Sequence, residues 1–215
     1  MKKILSLAVL SSILVLPVIA SEKTIERKDC LSTREYITIL KYLEERKEFQ
    51  IEKDKARNIA DEISKGCSGA AESFIKVMNT LMKAEIDGKT ALTSSLKLAS
   101  QGKESTDAFI EIFKSSFLEK LLDRDAQASY KIAMNFAQDF KGDLPLASKS
   151  FFAVANYCSE EGKVNLPKNR CVDTAQKIGK LSGKHKTDMS LPFLMLMDFM
   201  MGGLGPNLPL YQALE

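Results

Sequence analysis

The chain has 215 residues, with 31 Lys and Arg against 28 Asp and Glu, and a formal net charge of +3. So even a balance argues against a nucleic-acid binder, which needs a basic excess, and no nucleic acid is expected as a partner. Trp is absent, so a sugar-stacking platform would rest on Tyr or Phe alone.

Met1 to Ala20 reads as an export signal. Lys2 and Lys3 precede an apolar run from Ile4 to Ile19, and Val18-Ile19-Ala20 precedes Ser21 as a cleavage site. The run is short for a membrane span. The expectation is a periplasmic or secreted protein cleaved near Ala20-Ser21. The remaining 195 residues suit a single all-helical domain, 21–215.

Ser32-Thr33-Arg34-Glu35 predicts a capping box, with Glu35 reaching back to its own helix start. Tyr36, Leu40 and Leu43 follow at helical spacing. Ala56, Ile59, Ala60 and Ile63 mark a second helix, with Gly66 as a left-handed stop. Ala71, Phe74, Ile75, Met78, Leu81 and Met82 form the next stripe, and Asp87-Gly88 a turn. Leu92, Leu96 and Ala99 come next, closed by Gly102. Phe109, Phe113, Phe117 and Leu121 make another stripe. Asp123 is expected to cap a helix carrying Tyr130, Ala133, Ala137 and Phe140, and Gly142 to end it. Asp143-Leu144-Pro145 opens the next helix, since proline fits a first turn. Cys171, Ala175 and Ile178 mark one ending near Gly183, and a last helix covers about Ser190 to Met201.

Bulky and lean helices alternate. Phe74, Phe109, Phe151 and Phe193 begin successive bulky members, spaced 35, 42 and 42 residues apart. Alanine-rich helices lie between them. This is the habit of a right-handed α-solenoid-like array of helical hairpins, all-α, with a compact orthogonal bundle of 8–9 helices as the alternative. In period and alternation the chain resembles tetratricopeptide and HEAT arrays. It lacks the Trp-x-x-Leu-Gly-x-x-Tyr signature of tetratricopeptide repeats, and no family is assigned. The plan divides into a disulfide-clipped hairpin (about 21–67), helical repeats (68–183) and a Met-rich terminal helix with its tail (184–215).

An exported chain with four cysteines implies two disulfides. Cys30 precedes the first helix and Cys67 follows the second, while Cys158 closes one helix and Cys171 opens the next. The helix map therefore predicts Cys30–Cys67 and Cys158–Cys171. No Cys-x-x-Cys occurs, so neither a zinc site nor a redox motif is read here.

No motif states a chemistry. Gly-x-Ser-x-Gly, His-Glu-x-x-His and a phosphate-cradling glycine loop are all missing. The single histidine, His185, sits among lysines and reads as a surface residue. Acids crowding the first hairpin, among them Glu44, Asp54 and Asp61, alternate with Lys and Arg and read as exposed ion pairs. No catalytic residue, cofactor or metal is assigned.

Two surfaces remain as binding candidates. Lys163, Lys168, Arg170, Lys177, Lys180, Lys184 and Lys186, opposed only by Asp173, form a basic run suited to an anionic surface. Five of the nine methionines lie from Met189 to Met201. Met195, Met197, Met200 and Met201 either close the core or form an adaptable groove; a cuprous site, the third reading, lacks accompanying histidines. The leading expectation is a non-catalytic scaffold that binds a protein, peptide or envelope component. Association with anionic lipid and a carboxylate-dependent envelope enzyme are the alternatives.

Overall fold

A computed structural model describes residues 32–46, 51–66, 69–118, 125–159 and 168–201. The export signal, Cys30, Cys67, Leu121, Asp123, Lys163 and the tail after Met201 lie outside the described residues. Among those described, the protein is all-helical: α1 (Thr33–Glu45), α2 (Lys53–Ser64), α3 (Ala70–Lys83), α4 (Gly88–Gln101), α5 (Lys103–Phe113), α6 (Ala126–Ala137), α7 (Leu144–Ser159), α8 (Lys168–His185) and α9 (Ser190–Met201). α5 continues into a π-helical turn, Lys114–Leu118.

The helices pair in sequence as α1/α2, α3/α4, α5/α6 and α7/α8. Between hairpins, α1 packs on α3, α3 on α5, α5 on α7 and α7 on α9, so the odd helices form one connected layer. α2 packs on α4 and α6 on α8, and α2–α3, α4–α5 and α8–α9 contacts cross between odd and even helices. The packing of neighbouring hairpins is that of a helical bundle or hairpin array. The bulky residues mark the odd layer: Phe74, Phe109 and Phe151 are fully buried, and Phe193 is half-buried against the same core. Alanines Ala60, Ala91, Ala133 and Ala175 face inward from the even helices. Small residues there let backbones approach, and the aromatic rings fill the seam. One connected apolar cluster runs from Ile39 on α1 to Ala175 on α8.

Helix ends show where local reading fell short. Ser32 does cap α1, its hydroxyl accepting from Glu35 N at 3.4 Å. Glu35, however, does not reach back. Its carboxylate is buried and accepts from Gly69 N at 3.3 Å and Ala71 N at 2.6 Å, so it caps α3 instead. Gly69, the residue before α3, has φ 97° and no side chain to do this itself. A second tie, Ser32 N to Ser64 O at 3.1 Å, joins the start of α1 to the end of α2.

Gly66 is not left-handed; α2 ends through Lys65 in ordinary helical conformation. The cap of α6 is Asp125, which accepts from Ala128 N at 2.7 Å, where Asp123 was expected. α6 stops at Ala137 rather than Gly142, and Asp139 takes the left-handed conformation at φ 53°. α8 runs past Gly183 to His185, and Lys186 (φ 51°) makes the turn. Gly102, by contrast, does close α4, at φ 102°. Asp87 caps α4, accepting from Thr90 N at 2.9 Å.

The tightest seam lies between α7 and α8. A Cβ on Gly179 would fall 2.8 Å from Ala147 O, and one on Gly183 2.9 Å from Ala147 Cβ. Ala175, Gly179 and Gly183 lie four residues apart, so α8 presents a strip of small residues on which α7 rests. Core residues missed by the simple stripes, Ile39, Leu98 and Phe136, are fully buried on the same inward faces.

Candidate functional site

The basic run divides into roles. On α8, Cys171, Ala175, Gly179, Ser182 and Gly183 face inward, while Arg170, Lys177, Leu181 and Lys184 are exposed along one outward stripe. Lys186 is exposed in the following turn. Lys168 is helical, with its side chain outside the described residues.

Lys180 must be withdrawn from the candidate surface. Its ammonium donates to Asn135 O at 2.9 Å and Gln138 O at 3.1 Å, the free carbonyls at the end of α6. Gln176, one turn earlier, donates to Ile132 O at 3.2 Å. A cation at a helix C-terminus satisfies orphan acceptors and opposes the macrodipole. Burial pushes the Lys180 pKa down, with Asp139 pulling the other way. This lysine therefore fastens α8 to α6.

The Met-rich end also divides. Met197 is 1 % exposed and plugs the seam below α9, so it is core. Leu191 (59 %), Met195 (72 %), Leu196 (53 %) and Phe199 (55 %) are open. Leu191, Met195 and Phe199 are spaced by four and share one side of the helix. Met200 and Met201 belong to α9, with side chains outside the described residues.

Two acids fix α9 to α7. Asp188 accepts from Ser190 N at 3.0 Å, Ser190 Oγ at 2.5 Å and Ser150 Oγ at 3.1 Å, and pairs with Lys149 at 3.2 Å. The Ser190 hydroxyl, followed by Lys149, the Ser190 amide and Ser150, holds the Asp188 carboxyl down to about 2 against the opposing effect of burial. Asp198, the acid that stands alone among the methionines, is exposed and accepts from Tyr157 Oη at 2.5 Å.

Cys158 and Cys171 do meet, as the helix map requires, but not as the expected bond: both are buried thiols, hydrogen-bonded to each other with no disulfide between them. Hydrogen bonding with Cys171, then burial, pushes the Cys158 thiol well above its usual value. Cys171 Sγ donates to Ala155 O at 3.5 Å. Neither thiol has the electropositive, exposed setting of a reactive nucleophile.

Elsewhere, Tyr42 Oη donates to Asn79 Oδ1 at 2.8 Å and Arg46 to the same atom at 3.3 Å, beside an open groove lined by Arg46, Asn79, Met82 and Lys83. None of those lining residues is a carboxylate. In the first hairpin the acids pair along helices, Asp54 with Arg57 and Asp61 with Lys65, each at 3.2 Å and largely exposed. His185 is exposed at the end of α8. No helix among the described residues is long and apolar enough to cross a membrane. No family model, curated protein or solved structure matches the chain.

Proposed function

We propose that this chain is an exported, non-catalytic helical-repeat scaffold that binds a protein or other envelope component through the outer face of α9. The observation that carries the reading is the concentration of exposed apolar side chains there: Leu191, Met195, Leu196 and Phe199. A helix as apolar as α9, whose one charged residue is Asp198, exposes more apolar surface than solvent favours. α7 and α8 cover one side, and the large apolar side chains left exposed on the other, beside Asp198, mark a docking site. Methionine suits that role because its flexible thioether adapts to varied apolar partners.

The test places a photo-reactive residue at Met195, or at Lys177 as a control, and exposes each protein to a solubilised envelope fraction. A discrete adduct forms from position 195, and Phe199→Glu reduces it about tenfold or more, as loss of a central apolar anchor does. Equal adducts from both positions, or an adduct indifferent to Phe199→Glu, refute the reading.

The thiol pair bears on the address. In an oxidising compartment Cys158 and Cys171 lose two protons and pass two electrons to a disulfide-bearing oxidant, forming a bond between the end of α7 and the start of α8. Cys30–Cys67 is the companion clip, and the Ser32–Ser64 hydrogen bond supports it by drawing the flanking residues together. Closing the Cys158–Cys171 loop stabilises by about 3 kcal/mol, so its reduction lowers the melting temperature by about 6–12 °C. Non-reducing peptide mapping checks the pairing. Complete alkylation of Cys158 and Cys171 in protein taken from its native compartment contradicts export.

One observation favours a second reading, association with an anionic surface: Arg170, Lys177 and Lys184 share the outward stripe of α8. Binding to phosphatidylglycerol vesicles that weakens with added salt would support it; salt-indifferent binding would not.

A further inference from the structure

We propose that the groove between the ends of α1 and α3 binds a small organic carboxylate. Its negative group meets Arg46, Asn79 and Lys83, and its apolar stem rests on Met82. The site is separate from α9 and independent of what docks there. Its volume is about 450 Å³, in the range of small-molecule sites. Arg46 closes α1, and Asn79, Met82 and Lys83 lie at the end of α3.

The Arg46 guanidinium is held in place from two helices. It donates to Asn79 Oδ1 at 3.3 Å and lies over the Tyr42 ring, 5.3 Å from the centroid. Tyr42 is itself fixed: its hydroxyl donates to the same oxygen at 2.8 Å, and its ring meets the buried Phe74 edge-on at 6.3 Å. A guanidinium only donates, so the Asn79 atom it meets must be the oxygen. The Asn79 amide nitrogen then faces away from both, with two hydrogens to give a ligand. Lys83, one turn further along α3, is exposed and adds a second positive charge. Two cations and an amide donor along one groove suit an oxyanion. Met82, packed against the core and half-buried, supplies the apolar contact. Glu45 and Glu85 are close in sequence but do not line the groove. The C-terminal ends of α1 and α3 adjoin it, and their macrodipoles oppose negative charge. That opposition favours a monoanionic carboxylate over a dianionic phosphate.

The experiment titrates the full chain with hexanoate and with N-acetyl-leucine, following the Asn79 side-chain amide and the Arg46 Nε–H by nitrogen-15 NMR. Hexanoate stands for a fatty acid and N-acetyl-leucine for a peptide carboxyl terminus, and the tighter of the two names the source. Saturation in the millimolar range is expected for ligands of so few atoms. The primary amides of both probes, which lack the charge, leave the two signals unmoved. Asn79→Asp separates binding from structure. It keeps an oxygen for Tyr42 and Arg46, so the melting temperature does not fall, but it removes the amide hydrogens and sets a like charge against the ligand. Carboxylate binding weakens about tenfold or more. Lys83→Gln, at an exposed position, weakens it about threefold and decides the matter should Asn79→Asp prove unstable. Undiminished binding in the deciding variant overturns the proposal. So does an equal response to the neutral amides, which makes the groove merely apolar, or the lack of a saturable shift with either carboxylate. Inorganic phosphate binding more tightly than both carboxylates overturns the choice of a monoanion.

Discussion

Replacing Glu35 by alanine lowers stability by about 3 kcal/mol, seen as a lower urea midpoint with an unchanged slope. The reason is that one carboxylate serves two backbone donors it does not adjoin in sequence, Gly69 N and Ala71 N. Both belong to the first turn of α3, where amides have no partner within the helix. Gly69 offers no side chain in compensation. Removing the acceptor leaves two amides unsatisfied, at least one of them buried, and deletes a negative charge from the positive end of a helix. Glu35→Gln keeps the shape and one acceptor, and costs less, about 1–2 kcal/mol. If alanine leaves the midpoint where it was, Glu35 does not hold α1 to α3, and the first junction of the odd layer needs another cause.

Gly142→Ala has a larger effect, about 4 kcal/mol or more, because two penalties combine. Gly142 sits at φ 138°, where an L side chain is strained. The added methyl carbon would also lie 2.5 Å from Gly183 O and 2.7 Å from Gly183 C. Those are backbone atoms of a helix, and they cannot turn aside as a side-chain tip does. Moving them breaks the bond from Asp143 N to Gly183 O at 3.0 Å and lifts α8 from α7. Gly88→Ala is the control: its Cβ meets nothing within 4 Å, and stability changes by no more than about 0.5 kcal/mol. Thermal denaturation of the two variants side by side tests the contrast. A Gly142→Ala protein as stable as Gly88→Ala would mean that the α7–α8 seam is looser than described.

These seams bear on the docking reading because α9 rests on α7 and α8. Asp188 and Tyr157 tie it to α7, and a shift in α8 pulls on the bond from Met189 N to Ser182 Oγ that leads into it. Loss of binding in a Gly142 variant would thus reflect an unseated helix, whereas Phe199→Glu acts at the surface itself.

The stripes Ala56–Ile59–Ala60–Ile63 and Phe109–Phe113 were legible because a helix returns to the same face every three or four residues, and a core accepts only apolar ones. Likewise, Phe74, Phe109 and Phe151 fall on the odd helices α3, α5 and α7, although Phe136 on α6 shows that bulk is not confined to them. Helix ends were less legible. Asp123 and Asp125 are equally good caps as residue types, and only the position of the following helix selects between them. Lys180 and Lys177 look alike in sequence, three residues apart on one helix. One points over the end of α6 and the other at water, so charge alone misassigns the first.

Sequence alone determined the all-helical class, the order and approximate bounds of the helices, and the apolar character of the last one. Those are consequences of local periodicity and backbone propensity, which need no knowledge of distant residues. Tertiary structure alone decided that Glu35 caps α3, that Lys180 closes α6, that Met197 is core while Met195 is open, and that Gly179 and Gly183 seat α7. Each is a contact between segments far apart in the chain, and such contacts are fixed by the packing of whole helices, which no local pattern encodes.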